Sequence, residues 1–302
     1  MKRRLHALLS SLALLLSPAA SAAPIGQPPA LPQPVDAANA AYREGLASLV
    51  ANNLAASEAA FRRSLSLDPN SADAMLGLAE VAFRRKQFDE ARKLIIKAVD
   101  AEPRNANAHA SLGRVHALDR AYDKAEQSLK QAIALDITLV RPRMDLADLY
   151  ATALRKPDEA VQLYQDVIAI APEHAGAHYA QGVILAGITD RVEEARSLLE
   201  KAAVLEPRNP LPALALARLS AGWGDVAAAQ QWLAKALEID PQQSEARELK
   251  GDFLHAQGDA TRALEEYKAA AATQATNGMA LAKIGSIHQT AGRTNEAITA
   301  YR

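Results

Sequence analysis

An all-α solenoid of antiparallel helix pairs, with no sheet, is the fold this sequence predicts. Three observations carry it. The chain repeats itself every 34 or 35 residues, the signature of stacked supersecondary units. Small and large residues keep fixed columns within that period, at helical spacing. The composition is Ala-rich, with no Cys and 4% aromatics. This suits closely approaching helices, because Ala is the best helix former and adds little bulk.

The first residues read as an address. Lys2, Arg3 and Arg4 precede an apolar stretch, Leu5 to Leu16, and Pro18 and the small site Ala20-Ser21-Ala22 follow. That order is a secretory signal peptide cleaved near Ala22. The run is short for a membrane span, so no membrane insertion is expected after cleavage. The expected location is outside the cytoplasm, in the periplasm. No Cys follows the apolar stretch, which excludes a lipoprotein. Pro24, Pro28, Pro29, Pro32 and Pro34 then mark residues 23–37 as an extended, disordered tether.

Charge narrows the function classes. Lys and Arg number 34 against 35 Asp and Glu, a net charge of −1. Cleavage removes Lys2, Arg3, Arg4 and no acid, leaving 31 against 35, a net −4. This does not fit a nucleic-acid binder. Zero Cys excludes disulfides, thiol catalysis, Cys-based zinc sites and iron–sulfur ligation.

The repeats occupy 38–302, starting near residues 38, 72, 106, 140, 175, 210 and 244, with a partial unit over 278–302. A small column runs Ser57, Ala91, Ala125, Ala160, Ala195, Ala229, Ala263 and Ala297, with steps of 34 or 35. Four residues after each comes a large one: Phe61, Ile95, Leu129, Tyr164, Leu199, Leu233, Tyr267 and Tyr301. Pro69, Pro103, Pro172, Pro207 and Pro241 close five units; Ile137 and Ala275 stand at that place in two others. The other half of each unit holds Gly45, Ala79, Gly113, Ala147, Gly182, Ala217, Gly251 and Gly285 in register. Gly224-Asp225, Gly258-Asp259 and Gly292-Arg293 supply turns between the halves. Asn, Ser or Asp near each start supplies a cap. The small columns face each other, the large column fills the gap to the next unit, and the stack supplies the core. The two 35-residue units place their extra residue in turns, at 152–157 and 187–192.

These columns resemble the tetratricopeptide repeat family over 38–302. The resemblance implies a right-handed superhelical solenoid whose first helices line a concave face that binds proteins or peptides. Carried onto this sequence, that face holds Tyr42, Leu76, Glu80, Phe83, Arg114, Met144, Asp148, Tyr179, Arg218, Asp252 and His255. Glu80, Arg114 and Asp148, then Arg218 and Asp252, alternate in sign. The alternation suits a mixed-charge peptide, or equally neighbouring repeats that neutralise each other in partly exposed pairs. Ala117, Ala151, Ala186 and Ala221 form a floor with room for a helix or strand. The family's clamp for a terminal carboxylate needs Lys and Asn. The matching places hold Tyr42, Leu46, Gly77, Asn107 and Ser111, so that activity is not expected.

Other motifs carry less. His174 and His178, with Glu173, have ligand spacing on one helix face but no evident third ligand, so no metal site is expected. His116 and His288 read as packed, neutral side chains. Arg84, Arg85 and Lys86 read as a solvated cluster at a turn. No phosphate cradle, nucleophile elbow or zinc-protease motif is present, so no catalytic residue or cofactor is expected. The last helix, from about Thr294 to Arg302, lacks a polar capping helix, which leaves three readings open: a fragment of a longer chain, docking of the last repeat onto a partner, or self-association through it.

The reading that follows is a non-catalytic, exported scaffold that binds proteins in the bacterial envelope, in assembly or export of components such as polysaccharide. The alternative is a recruiting region of a larger enzyme of the glycosyltransferase or sulfotransferase kind, its catalytic domain encoded beyond Arg302.

Overall fold

A computed structural model describes residues 34–273 and 278–302. The signal segment and residues 23–33 of the tether lie outside the described residues, as does Ala275. Among the described residues every regular element is helical. The backbone divides into two compact units, one ending at Leu149 and the other starting at Tyr150.

The first unit contains α1 (Pro34–Val50), α2 (Leu54–Leu67), α3 (Ala72–Arg84), α4 (Phe88–Ala101), α5 (Ala106–Leu118), α6 (Tyr122–Leu135) and α7 (Val140–Leu149). Helix α1 begins four residues before the expected start of the repeats at residue 38. Pro34 causes no break there, because a first-turn residue has no helical acceptor for the N–H that proline lacks.

The second unit opens with a π-helical turn, Tyr150–Leu154. It continues with α8 (Pro157–Ile170), α9 (Ala175–Leu185), a 3₁₀ turn (Thr189–Arg191), α10 (Val192–Leu205) and α11 (Pro210–Gly222). Then come α12 (Val226–Ile239), α13 (Ser244–Ala256), α14 (Ala260–Thr273), α15 (Gly278–Thr290) and α16 (Thr294–Tyr301).

Several helices start where a side chain accepts one of the first orphan amides. Asn53, Ser71, Asn105, Asn209 and Asp225 each cap their own helix. Glu102 adds a link between repeats, its Oε1 accepting the Ala72 amide at 2.8 Å.

The packing columns are as regular in space as in sequence. Ser57, Ala91, Ala125, Ala160, Ala195, Ala229 and Ala263 are fully buried. Phe61, Leu129, Tyr164 and Leu199 leave at most 2% of their surface exposed. Tyr301 is the exception at 52%. The glycines lie directly against the large column. A Cβ on Gly45 would stand 2.5 Å from the Phe61 ring, and one on Gly251 would stand 2.4 Å from the Tyr267 ring. In the first repeat the small column is Ser, and its hydroxyls bond across the pair, Ser57 to the Gly45 carbonyl and Ser64 to that of Ala38, both at 2.9 Å.

Turns inside six of the pairs close with one bond spanning five residues, as from the Gln87 amide to the Ala82 carbonyl and from Ala121 to His116. This geometry needs a left-handed residue. Gly224, Gly258 and Gly292 supply it with φ of 79°, 85° and 72°, while Asn52, Lys86, Arg120 and Arg155 are forced to φ of 53–63°. At Tyr150–Leu154 the closing bond spans six residues, from the Lys156 amide to the Tyr150 carbonyl. The extra residue of that 35-residue repeat is thus absorbed as a π turn. Because left-handed backbone strains a residue with a Cβ, Arg120→Gly is expected to raise stability by about 0.5–1 kcal/mol in urea titrations. An unchanged midpoint would mean that the turn is relaxed.

Candidate functional site

The first helices carry the expected ligand face, and each unit presents its share differently. In the first unit Leu76, Glu80 and Arg114 of that face are engaged with other side chains of the chain itself. Leu76 and Glu80 correct the expectation of an open surface: they are only 8% and 7% exposed. Leu76 packs with Ala79, Ile95 and Val115 in the core. Glu80 binds Arg84 Nε at 2.9 Å, and the same guanidinium donates to the Leu49 carbonyl. Arg85 pairs with Glu58, and Lys86 sits in the strained turn. All three basic residues stay exposed at this turn, with Arg84 and Arg85 paired to acids of this chain.

Arg114 is drawn into a second network. Its Nη2 donates to Ser111 Oγ at 3.0 Å, and its Nη1 lies 3.6 Å from Asp145 Oδ2. Arg141 Nε donates to Asp145 Oδ1 at 3.0 Å. Burial pushes the Arg114 guanidinium down and the Asp145 carboxyl up, against their mutual attraction. Asp145, absent from the expected set, is the acid that neutralises Arg114; its i, i+4 spacing to Arg141 was the available signal. Met144 and Asp148 are half-buried. Phe83 is half-buried and meets Phe88 edge-on at 5.8 Å.

Tyr42 lies against Phe61 with ring centroids 5.7 Å apart. Burial, aided by Asp73, pushes its hydroxyl up to about 12. An acid whose folded pKa is raised stabilises the fold below its unfolded pKa and loses that contribution as pH climbs to the folded value. Thermal stability should therefore fall between pH 10 and 12. Tyr42→Phe should reduce that loss, and an identical alkaline profile for the variant would refute the assignment.

The second unit keeps an opening. A groove of about 540 Å³ lies between α9, the 3₁₀ turn, α11 and the start of α13. Tyr179 and Val183 line it from α9. Leu211, Leu214 and Trp223 line it from α11 and its end, together with the small residues Ala186, Ala215 and Gly222. Val183, Leu211 and Trp223 are 44%, 38% and 53% exposed. Arg218 Nη2 pairs with Glu245 Oε2 at 3.1 Å on the rim, each side chain just over half exposed. Burial, and then Glu245, push the Tyr179 hydroxyl above its ordinary value.

Asp252 is committed elsewhere. It accepts from Tyr267 Oη at 2.7 Å and Lys283 Nζ at 2.8 Å, joining α13, α14 and α15. His255 is exposed. Of the expected residues, the groove gathers Tyr179, Arg218 and Ala186. Leu211, Trp223 and Glu245 were missed. Trp223 had a readable signal: the matching helix ends carry the polar residues Arg85, Asp119 and Gln257.

The histidines hold structural places. His174 Nδ1 accepts the Ala177 amide at 3.1 Å as a helix cap. His178 Nε2 meets the Pro172 carbonyl at 2.9 Å. His109 with Pro103 and Arg247 with Pro241 repeat that contact in the same register. His116 and His288 are only half-buried, and His288 accepts from Arg293 Nε at 2.8 Å. Among the described residues no helix is long and apolar enough to cross a membrane.

Comparison with known proteins places this geometry. One tetratricopeptide repeat family model matches residues 49–115 and 189–252, and another matches 145–210. Cellulose synthase 2 operon protein C of Komagataeibacter xylinus is 30% identical over 276 residues, covering 74% of this chain and 21% of that protein. Human protein O-mannosyl-transferase TMTC3 is 28% identical over 156 residues, covering 49% of this chain and 16% of that protein. The chain thus spans about a fifth or less of these relatives' length. The solved structure of pilF from Pseudomonas aeruginosa superposes with a TM-score of 0.65 at 22% identity, covering 72% of this chain and 99% of that one.

Proposed function

Because the chain belongs to the tetratricopeptide repeat family, a family whose members bind protein or peptide partners, we propose that it is an exported, non-catalytic scaffold of the bacterial cell envelope. It binds its partners through the first helices and acts in assembly or export of envelope components such as polysaccharide. The observation that carries the reading is the groove of the second unit. There, large apolar side chains stay half exposed between first helices, the kind of surface that marks interaction sites. The signal-like start supports export, and the relative named for a cellulose synthase operon supports the polysaccharide pathway.

Cross-linking in intact envelopes, followed by affinity isolation of the chain, tests this. Specific envelope proteins should be recovered with a chain whose first residue is near Ala23. Recovery of the uncleaved chain from the cytoplasm, without partners, would overturn it.

The mannosyl-transferase relative favours a second reading, in which these repeats recruit substrate for a larger enzyme. Glycosyl transfer activity that copurifies with the chain would favour that reading.

A further inference from the structure

Resting on the partner-binding reading above, we infer that the groove of the second unit takes a bulky apolar side chain from an uncharged stretch of partner peptide. Arg218 and Glu245 then bind that peptide's amide groups.

The apolar part follows from where exposure is concentrated. Val183, Leu211 and Trp223 are exposed together in one depression. The places that match Val183 further along are Asp252 and Ser286; those that match Leu211 are Glu245 and Met279; those that match Trp223 are Gln257 and Ala291, so neither α13 nor α15 repeats the apolar trio. In the first unit the corresponding Glu80 and Arg114 are locked into pairs. Covering these side chains gains roughly 25 cal/mol for each Å² removed from water. The small residues Ala186, Ala215 and Gly222 in the lining add little bulk, and the groove's volume lies within the usual range for ligand sites.

The uncharged part follows from charge complementarity. The two charges on the rim neutralise each other across 3.1 Å. A partner carboxylate drawn to Arg218 meets Glu245 beside it, and a partner ammonium drawn to Glu245 meets Arg218. Neither sign is favoured. A peptide amide suits both, since its carbonyl accepts from the guanidinium and its N–H donates to the carboxylate. Half-exposed ions exchange solvent for such bonds at little cost.

The test selects a random heptapeptide display library on the full chain and counter-selects on a Leu211→Asp, Trp223→Ala variant. Both substituted side chains are substantially exposed, so the variant should keep the wild-type circular dichroism and melting temperature. The selected peptides should share one bulky apolar residue without charged neighbours. By calorimetry the best of them should bind Trp223→Ala at least about tenfold more weakly, bind Trp223→Phe nearly as wild type, and change affinity less than about twofold between low and high salt. An acidic or basic consensus, unchanged binding to Trp223→Ala, or no peptide that depends on the groove would overturn the inference. Envelope partners still cross-linked by the groove variant would then show that the scaffold reading survives without it. Loss of every partner from the wild-type chain would fell the scaffold reading itself.

Discussion

Gly113→Leu is expected to destabilise the chain by about 3 kcal/mol, read as a lowered urea midpoint. A Cβ at Gly113 would lie 2.7 Å from Leu129 Cγ and 3.3 Å from the Ala125 carbonyl oxygen. Leu129 is 1% exposed, and the carbonyl belongs to the backbone of α6. The helix pair must therefore part, and overpacking of a tight core costs roughly 1–3 kcal/mol, more when backbone moves. Gly222→Ala is the control. Nothing lies within 4 Å of its Cβ, and a helical Gly→Ala change favours folding by about 0.5 kcal/mol. Opposite signs at these two glycines are the expected result; equal losses would show that the packing columns do not set stability.

Asp145→Ala is expected to cost about as much, roughly 3 kcal/mol, for an electrostatic reason. The Asp145 side chain is 6% exposed and holds Arg141 at 3.0 Å and Arg114 at 3.6 Å. Removing it leaves a largely buried guanidinium without its nearest acid, and breaking a buried pair from one side costs about 3–5 kcal/mol. Asp145→Asn keeps an acceptor for Arg141 and should cost less. The pH dependence has a definite sign. Burial raises the Asp145 pKa, so its contribution to stability is greatest below the ordinary carboxylate range and declines as pH rises through the folded value. Glu58, held down by Arg62 and Arg85, contributes in the opposite sense and loses its share as pH falls. Asp145→Asn should remove the first slope and leave the second; loss of neither slope would contradict the network.

The helix pairs were legible because each depends on local signals that recur. Caps, turn residues and the small and large columns are fixed by backbone closeness, and closeness tolerates few residue types. The ligand face was less legible. Face assignment by register counts positions and does not register how far a long side chain bends toward a charge. Glu80 therefore turned out buried beside Arg84, and Arg114 found Asp145, a turn before the expected Asp148. The alternating charges on the face mostly meet acids and bases of this chain itself. Trp223 escaped notice because it sits at a helix end, outside the repeating positions, although its polar counterparts in other repeats mark it as unusual.

Site-specific photocross-linking tests most directly whether partners dock on this face. A benzoylphenylalanine placed at Val183, exposed inside the groove, is compared with one at Glu200, exposed on the second helix α10. Discrete adducts with envelope proteins from position 183, and none from position 200, are the predicted result. No adduct at 183, or the same adducts from both positions, would contradict it.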